Sequence, residues 1–366
     1  MSDSPTSEER GQFSAGPPQG KFAPSGGSAV HAVTSVGATA SQQRWGDWLA
    51  LRQEAAIDPA TPIVDPHHHL WDRGGHTYLP AQFAQDAAGH QLLASVYVEC
   101  LSNYYDAGPR HLRAVGETGY VARLVQAAGI GIAAGILAYA DLSLGDAVDE
   151  VLDAHAAVAQ GRLRGVRYST ACDPDPAIHA SYPTHPGMLR EASVQAGARR
   201  LAKRGLVLDV WVYFHQLGDV AALARACPEL TIVVDHAGGI VGLGGYAGRR
   251  DQVFTQWRAA LQGLGALPNV MLKFGGLAMP LAGFAWRKLE RPPTSEMLAQ
   301  AWRPYFEACL EVFGTQRCMF ESNFPVDRTG CTYTSLWNAF KRLAAPLASG
   351  ERDAVLSGTA RQVYGV

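Results

Sequence analysis

Charge is scarce in this sequence. Only 17% of its 366 residues are charged, and 31 Lys and Arg against 33 Asp and Glu leave a net −2. So even a balance excludes a polybasic nucleic-acid surface and an acidic tail protein. No apolar run approaches the ~18 residues of a membrane span. The opening MSDSPTSEERG has neither a basic start nor an apolar stretch. No secretory leader is therefore expected, and a cytoplasmic location is. The six cysteines (Cys100, Cys172, Cys227, Cys309, Cys318 and Cys331) are scattered, with no CxxC pair. They read as reduced thiols, not as a disulfide frame or a zinc ribbon. No glycine-rich phosphate loop follows the first apolar run, and no internal repeat is visible. What is present is 47% hydrophobic residues, the composition of a soluble globular chain with a large core.

Residues 1–44 are rich in Ser, Gly, Ala and Pro and carry no helical or strand period. They read as a disordered extension, or as an arm docking on a second subunit of a homo-oligomer. Their deletion is expected to shift the melting temperature by no more than a few degrees; a large loss would mean that the segment packs. From Trp45 to Val366 the pattern changes. WGDWLALRQEAA has the spacing of an amphipathic helix. Eight short apolar runs follow: Ile63–Asp65, Ala94–Glu99, Ile130–Ala138, Gly165–Tyr168, Leu206–Phe214, Leu230–Asp235, Val270–Phe274 and Cys318–Ser322. Helical spacing fills the gaps, as in His111–Ala128, Gly145–Ala159, Met188–Arg204, Asp219–Ala226, Asp251–Leu264, Ser295–Phe313 and Leu336–Leu347. Several runs are continuously apolar, as strands covered by helices are. Eight strand–helix alternations predict an α/β chain folded as a single (β/α)8 TIM barrel.

Chemistry in such a barrel gathers at the C-terminal ends of the strands. The first run ends in DPHHHLWD. Side chains alternate along a strand, so His67 and His69 share one face and can grip one divalent ion, while His68 points away. Runs five and six end at His215 and His236. Gly238 and Gly239 after His236 suggest room for a ligand to approach the backbone. The eighth run ends in Glu321-Ser322-Asn323, with Asp327 shortly after. Glu99, Arg167 and Lys273 end or occupy runs two, four and seven. With Glu321 they read either as an internal ion-pair network or as a site in which Arg167 or Lys273 clamps a substrate carboxylate or a developing oxyanion.

DPHHHLWD, the His215-Gln216-Leu217 turn, VVDHAGG, VMLKFGGLAMP and MFESNFPVD together resemble the amidohydrolase superfamily. Within it they are similar to the metal-dependent hydrolase group that contains sugar lactonases and 2-pyrone-4,6-dicarboxylate lactonase. The likeness runs from about Pro62 to Val366. It implies a hydrolase that opens a cyclic ester with water. It also implies metal ligands at His67, His69 and His236, with Zn²⁺ as the ion, although some members of the group work without one. The group commonly ends its eighth strand in Gly-Ser-Asp, the Asp being the general base; here those positions are Glu321, Ser322 and Asn323. An amide is no base near neutral pH. The carboxylate is then expected from Glu321, Asp327 or Glu99.

The expected protein acts on a small molecule and contacts neither nucleic acid nor membrane. Its catalytic set is Glu321, Asn323, Asp327 and His236; its substrate contacts are Arg167, Lys273, His215 and Glu99. Two alternatives are a metal-dependent non-oxidative decarboxylase and an inactive ligand-binding barrel. Specificity is expected in the loops 78–91, 101–109, 170–186 and 279–293, whose Tyr104, Tyr105, Tyr182, Trp286 and Arg287 suit a ring and a negative group.

Overall fold

The computed structural model describes residues 46–73, 76–126 and 131–366. The segment read as a disordered extension lies outside them. Eight strands form one sheet in sequential order: β1 (Pro62–His68), β2 (Gln91–Val98), β3 (Gly135–Ala138), β4 (Leu163–Ser169), β5 (Val207–Trp211), β6 (Ile232–Val234), β7 (Val270–Phe274) and β8 (Cys318–Phe320). Every neighbouring pair is parallel. The ring closes just past β8, where Asn323 N donates to His67 O at 2.8 Å and His69 N donates to Phe324 O at 2.7 Å. A helix follows each strand: α1 (Pro80–Ala87), α2 (Val115–Gln126), α3 (Val148–Val158), α4 (Ala192–Lys203), α5 (Leu217–Ala226), α6 (Arg250–Gln262), α7 (Ser295–Phe313) and α8 (Tyr333–Ala344). This is the expected (β/α)8 barrel. In α4 the apolar spacing shows directly: Val194, Gly197, Ala198 and Leu201 are its buried face. Thr294 and Thr332 cap α7 and α8 by accepting from Met297 N and Ser335 N, both at 3.1 Å. All six cysteines are free. No helix among the described residues is long and apolar enough to cross a membrane.

The structure departs from the sequence pattern at two places. The helix expected over 45–56 is described only over 46–50. Beyond it, long-range hydrogen bonds replace helical ones. Glu54 accepts from Ser295 N at 2.7 Å, and Ile57 N donates to Asn338 Oδ1 at 2.7 Å. The first βα loop also contains an unforeseen antiparallel hairpin, Trp71–Arg73 with His76–Tyr78.

The barrel interior is layered. Its floor is apolar: Val64, Val96, Leu137, Val207, Val233 and Met319 pack with Ala360 and Tyr364 of the C-terminal helix. Above this, strand alternation places Asp209 over Val207, Asp235 over Val233 and Lys273 over Met271. Lys273 pairs with Asp209 and lies 3.5 Å from Asp235; Tyr364 donates to Asp209 at 2.9 Å. All three charged residues are completely buried. Removing one member of such a group strands the others. Lys273→Ala is therefore expected to cost about 3–5 kcal/mol of stability in a denaturant titration. A loss below about 1 kcal/mol would show that the layer is not holding charge.

Candidate active site

The site lies at the C-terminal ends of the strands. Along β1 the register with β2 shifts between Asp65 and His68. This irregularity re-phases the strand, so that His67 faces the interior as Val64 does. Asp65 secures the segment: its Oδ1 accepts from Ser322 N at 2.9 Å and from His67 N at 3.3 Å. Its Oδ2 accepts from Tyr333 at 3.0 Å. His68 points outward, stacked on Phe83 with ring centres 4.2 Å apart.

The His67 ring centre lies 5.0 Å from that of His69 and 4.6 Å from that of His236. Potential donor atoms of His67, His236 and Glu321 all lie within 4.8 Å of one another. Glu321 stands between the two rings. Its Oε1 accepts from His236 N at 2.8 Å and from His236 Nδ1 at 2.7 Å; its Oε2 lies 2.8 Å from His67 Nδ1. His67 Nε2 is buried with no hydrogen-bond partner. His69 Nδ1 donates to the Val98 carbonyl at 2.8 Å, and its Nε2 lies 3.3 Å from Asn323 Oδ1. Asn323 Nδ2 donates in turn to Asp327 Oδ2 at 2.8 Å.

Arg167 crosses the barrel to two carboxylates, Glu99 at 3.2 Å and Asp235 at 3.4 Å. Its Nη2 has no partner among the described residues. Tyr182, from the loop after β4, covers this pair and donates to the Glu99 carboxylate. Trp211 meets the His236 ring edge-on, with centres 4.6 Å apart. Of Glu99, Arg167, His67, His69, His236, Glu321, Asn323 and Asp327, none is more than 8% exposed.

This burial sets the proton affinities. It holds His67 below the usual histidine value and His69 well below it. His236 is buried too, but Glu321 and then Asp235 outweigh that and raise its pKa. Glu321, despite burial, is held well below the usual carboxylate range by His236 and His67. At Asp327 burial outweighs the His236 charge and the Asn323 hydrogen bond, and pushes it up to about 7.

The sequence-named residues thus separate. His67, His69, His236, Glu321, Asn323 and Asp327 form one connected group. Glu99 and Arg167 adjoin it through Asp235, which lies 3.5 Å from His67 Nδ1. Lys273 sits in the layer beneath, its ammonium engaged by Asp209. The structure does not bring His215 to this group: its Nε2 lies 2.9 Å from Asp173, which also accepts from Tyr246 at 2.9 Å. The space expected at Gly238 and Gly239 is not open either. A Cβ on Gly239 would lie 1.9 Å from the Val212 carbonyl oxygen, so the backbone just past β5 fills it. Asp235 was not among the expected site residues, although it alternates with Val233 and directly precedes His236. That parity was the available signal.

The chain matches the amidohydrolase family over residues 64–366. It is 31% identical to the uncharacterized protein y4mH of Sinorhizobium fredii, over 83% of this chain and 98% of that one. It is 28% identical to an L-fucono-1,5-lactonase of Burkholderia multivorans, over 82% of this chain and 95% of the relative. Among solved structures, a zinc-bound amidohydrolase from Burkholderia multivorans superposes with a TM-score of 0.65 at 26% identity, covering 83% of this chain and 99% of that one. A 5-carboxyvanillate decarboxylase from Sphingomonas paucimobilis superposes with a TM-score of 0.51 at 10% identity, a likeness of fold alone. With its family match spanning the whole barrel and its histidines gathered at the strand ends, the chain belongs to the amidohydrolase family.

Proposed function

We propose that this protein is a hydrolase that opens a lactone or a related cyclic ester of a small molecule. The observation that carries the reading is the buried histidine group with the unpartnered Asp327 carboxyl oxygen beside it. The sequence likeness to an L-fucono-1,5-lactonase supports the same reaction class.

The residues fit a divalent cation, with zinc as the candidate. A buried imidazole nitrogen without a partner, as at His67, is a lone pair left for a ligand-seeking group. His67 and His236 would hold the ion; His69, the third expected ligand, is not among the donors gathered within 4.8 Å of one another, its nitrogens lying against the Val98 carbonyl and Asn323. When bound, the ion supplies a Lewis acid that polarises a carbonyl and acidifies water. The rest of the chemistry falls to the protein. Asp327 takes the proton of the attacking water. Its pKa near 7 suits that role, and one of its oxygens is free to accept. Glu321 and Glu99 are less suited, since His236 and His67 surround the first and Tyr182 and Arg167 engage the second. Asn323 holds Asp327 in place. Arg167 offers Nη2 to a substrate oxygen while Glu99 and Asp235 fix its plane. Tyr182 and Trp211 supply apolar walls for a ring.

A screen of sugar and aromatic lactones, read by proton release with a pH indicator, tests this. At least one lactone should open with zinc-loaded protein. If none opens while an aromatic carboxylate loses CO₂, the decarboxylase alternative replaces this reading.

A further inference from the structure

The structure assigns Glu321 the role of a positioning residue: one carboxylate shared by the Nδ1 atoms of His67 and His236, leaving Nε2 of each ring as the bare donor for a divalent cation. This rests on the metal-holding part of the function proposed above.

The geometry is specific. Each oxygen of Glu321 faces a different ring, Oε1 at 2.7 Å from His236 Nδ1 and Oε2 at 2.8 Å from His67 Nδ1. An ionised carboxylate only accepts, which puts the His236 proton on Nδ1; at His67 the Nδ1–Oε2 approach is an ion-pair contact and not an aligned hydrogen bond, and that ring's proton is assigned to Nδ1 as well. Neither Nε2 then carries a proton in the neutral ring. His67 Nε2 has no partner, and His236 Nε2 makes no hydrogen bond among the described residues. A carboxylate behind a histidine that fixes its tautomer and raises its basicity is the usual support of a ligating imidazole. Here one side chain supports two. In this assignment Glu321 orients the two rings instead of joining them as a third donor, although its carboxylate lies within 4.8 Å of the donor atoms of both.

One neighbour competes. Lys273 Nζ lies 3.4 Å from His67 Nδ1 and could donate to it, which would move the His67 proton to Nε2. The carboxylate is nearer, at 2.8 Å, and the ammonium is already engaged by Asp209. The backbone also makes room for this arrangement. A Cβ on Gly275 would lie 2.4 Å from Glu321 Cγ, and one on Gly276 would lie 2.6 Å from His236 Cβ. The paired glycines after β7 are the niche into which the Glu321–His236 pair fits.

Long-range ¹H–¹⁵N spectra of the full-length, metal-free protein test this, at a pH where both rings are neutral. The expected result is a protonated Nδ1 and a bare Nε2 on both His67 and His236. In Glu321→Gln the amide can accept from one ring only and must donate to the other, so one ring should switch tautomer. Zinc affinity, measured by titration against a chelator, should fall about 10–100-fold, and Glu321→Asp should recover part of it. A native ring protonated on Nε2 overturns the assignment. So does a folded Glu321→Gln protein with unchanged tautomers and zinc affinity. If that variant does not fold, the native spectrum decides alone. Correct tautomers with no lactone opened would overturn the proposed reaction and leave this assignment standing.

Discussion

Replacing His67 by alanine is expected to abolish both metal retention and turnover. The ring is completely buried, its Nε2 is unpartnered, and its Nδ1 faces Glu321. Losing it removes a ligand and leaves Glu321 with His236 alone. If a bound ion contributes several kcal/mol of transition-state stabilisation, kcat/KM should fall by roughly 10³-fold or more. Zinc content after dialysis should fall in parallel. His68→Ala is the control. Its ring lies outside the barrel, bonded to Ser95 at 3.0 Å and stacked on Phe83, so it should cost stability and leave the metal in place. Equal zinc retention by the two variants would contradict the site as described.

Asp327→Asn should lower kcat by ~10²-fold or more, the scale of losing a general base, while metal binding persists. The native pH profile should rise through about 7, where Asp327 loses its proton, and the variant should lack that limb. Stability gives an independent check. Burial raises this carboxyl from 3.8 in the unfolded chain to about 7 in the fold. Between those values the folded protein holds a proton that the unfolded chain has released. Stability therefore falls as pH rises through that window, and the group contributes no such loss below 3.8. The variant should lose this slope and gain on the native protein above about pH 7. Melting curves across pH measure it; parallel curves would place the proton elsewhere.

Much of this site was legible before any coordinates, for reasons that can be named. The continuous apolar runs marked covered strands, and Val270–Phe274 is β7 to the residue. The HxH spacing put His67 and His69 on one face because side chains alternate. What alternation could not show was the register shift after Asp65, which decides the face that this pair shares with the rest of the strand. The partnership of His236 with Glu321 joins residues 85 positions apart, and nothing local encodes it. The two glycine pairs make the same point. Gly238-Gly239 suggested room for a ligand but admits the Val212 carbonyl, whereas Gly275-Gly276 drew no attention and makes room for Glu321 and His236. A glycine announces a close approach, not the identity of what approaches. The helix expected over 45–56 stops at residue 50 because Glu54 and Ile57 find stronger partners on α7 and α8 than another turn of a short helix provides.

Addition of water to a ring ester is tested most directly by supplying zinc-loaded protein with a lactone from the screen in ¹⁸O-enriched water and weighing the product. One heavy oxygen is expected in the new carboxylate, formed by the native protein and not by His67→Ala. A product that has lost CO₂, or one formed equally by the His67→Ala protein, would contradict it.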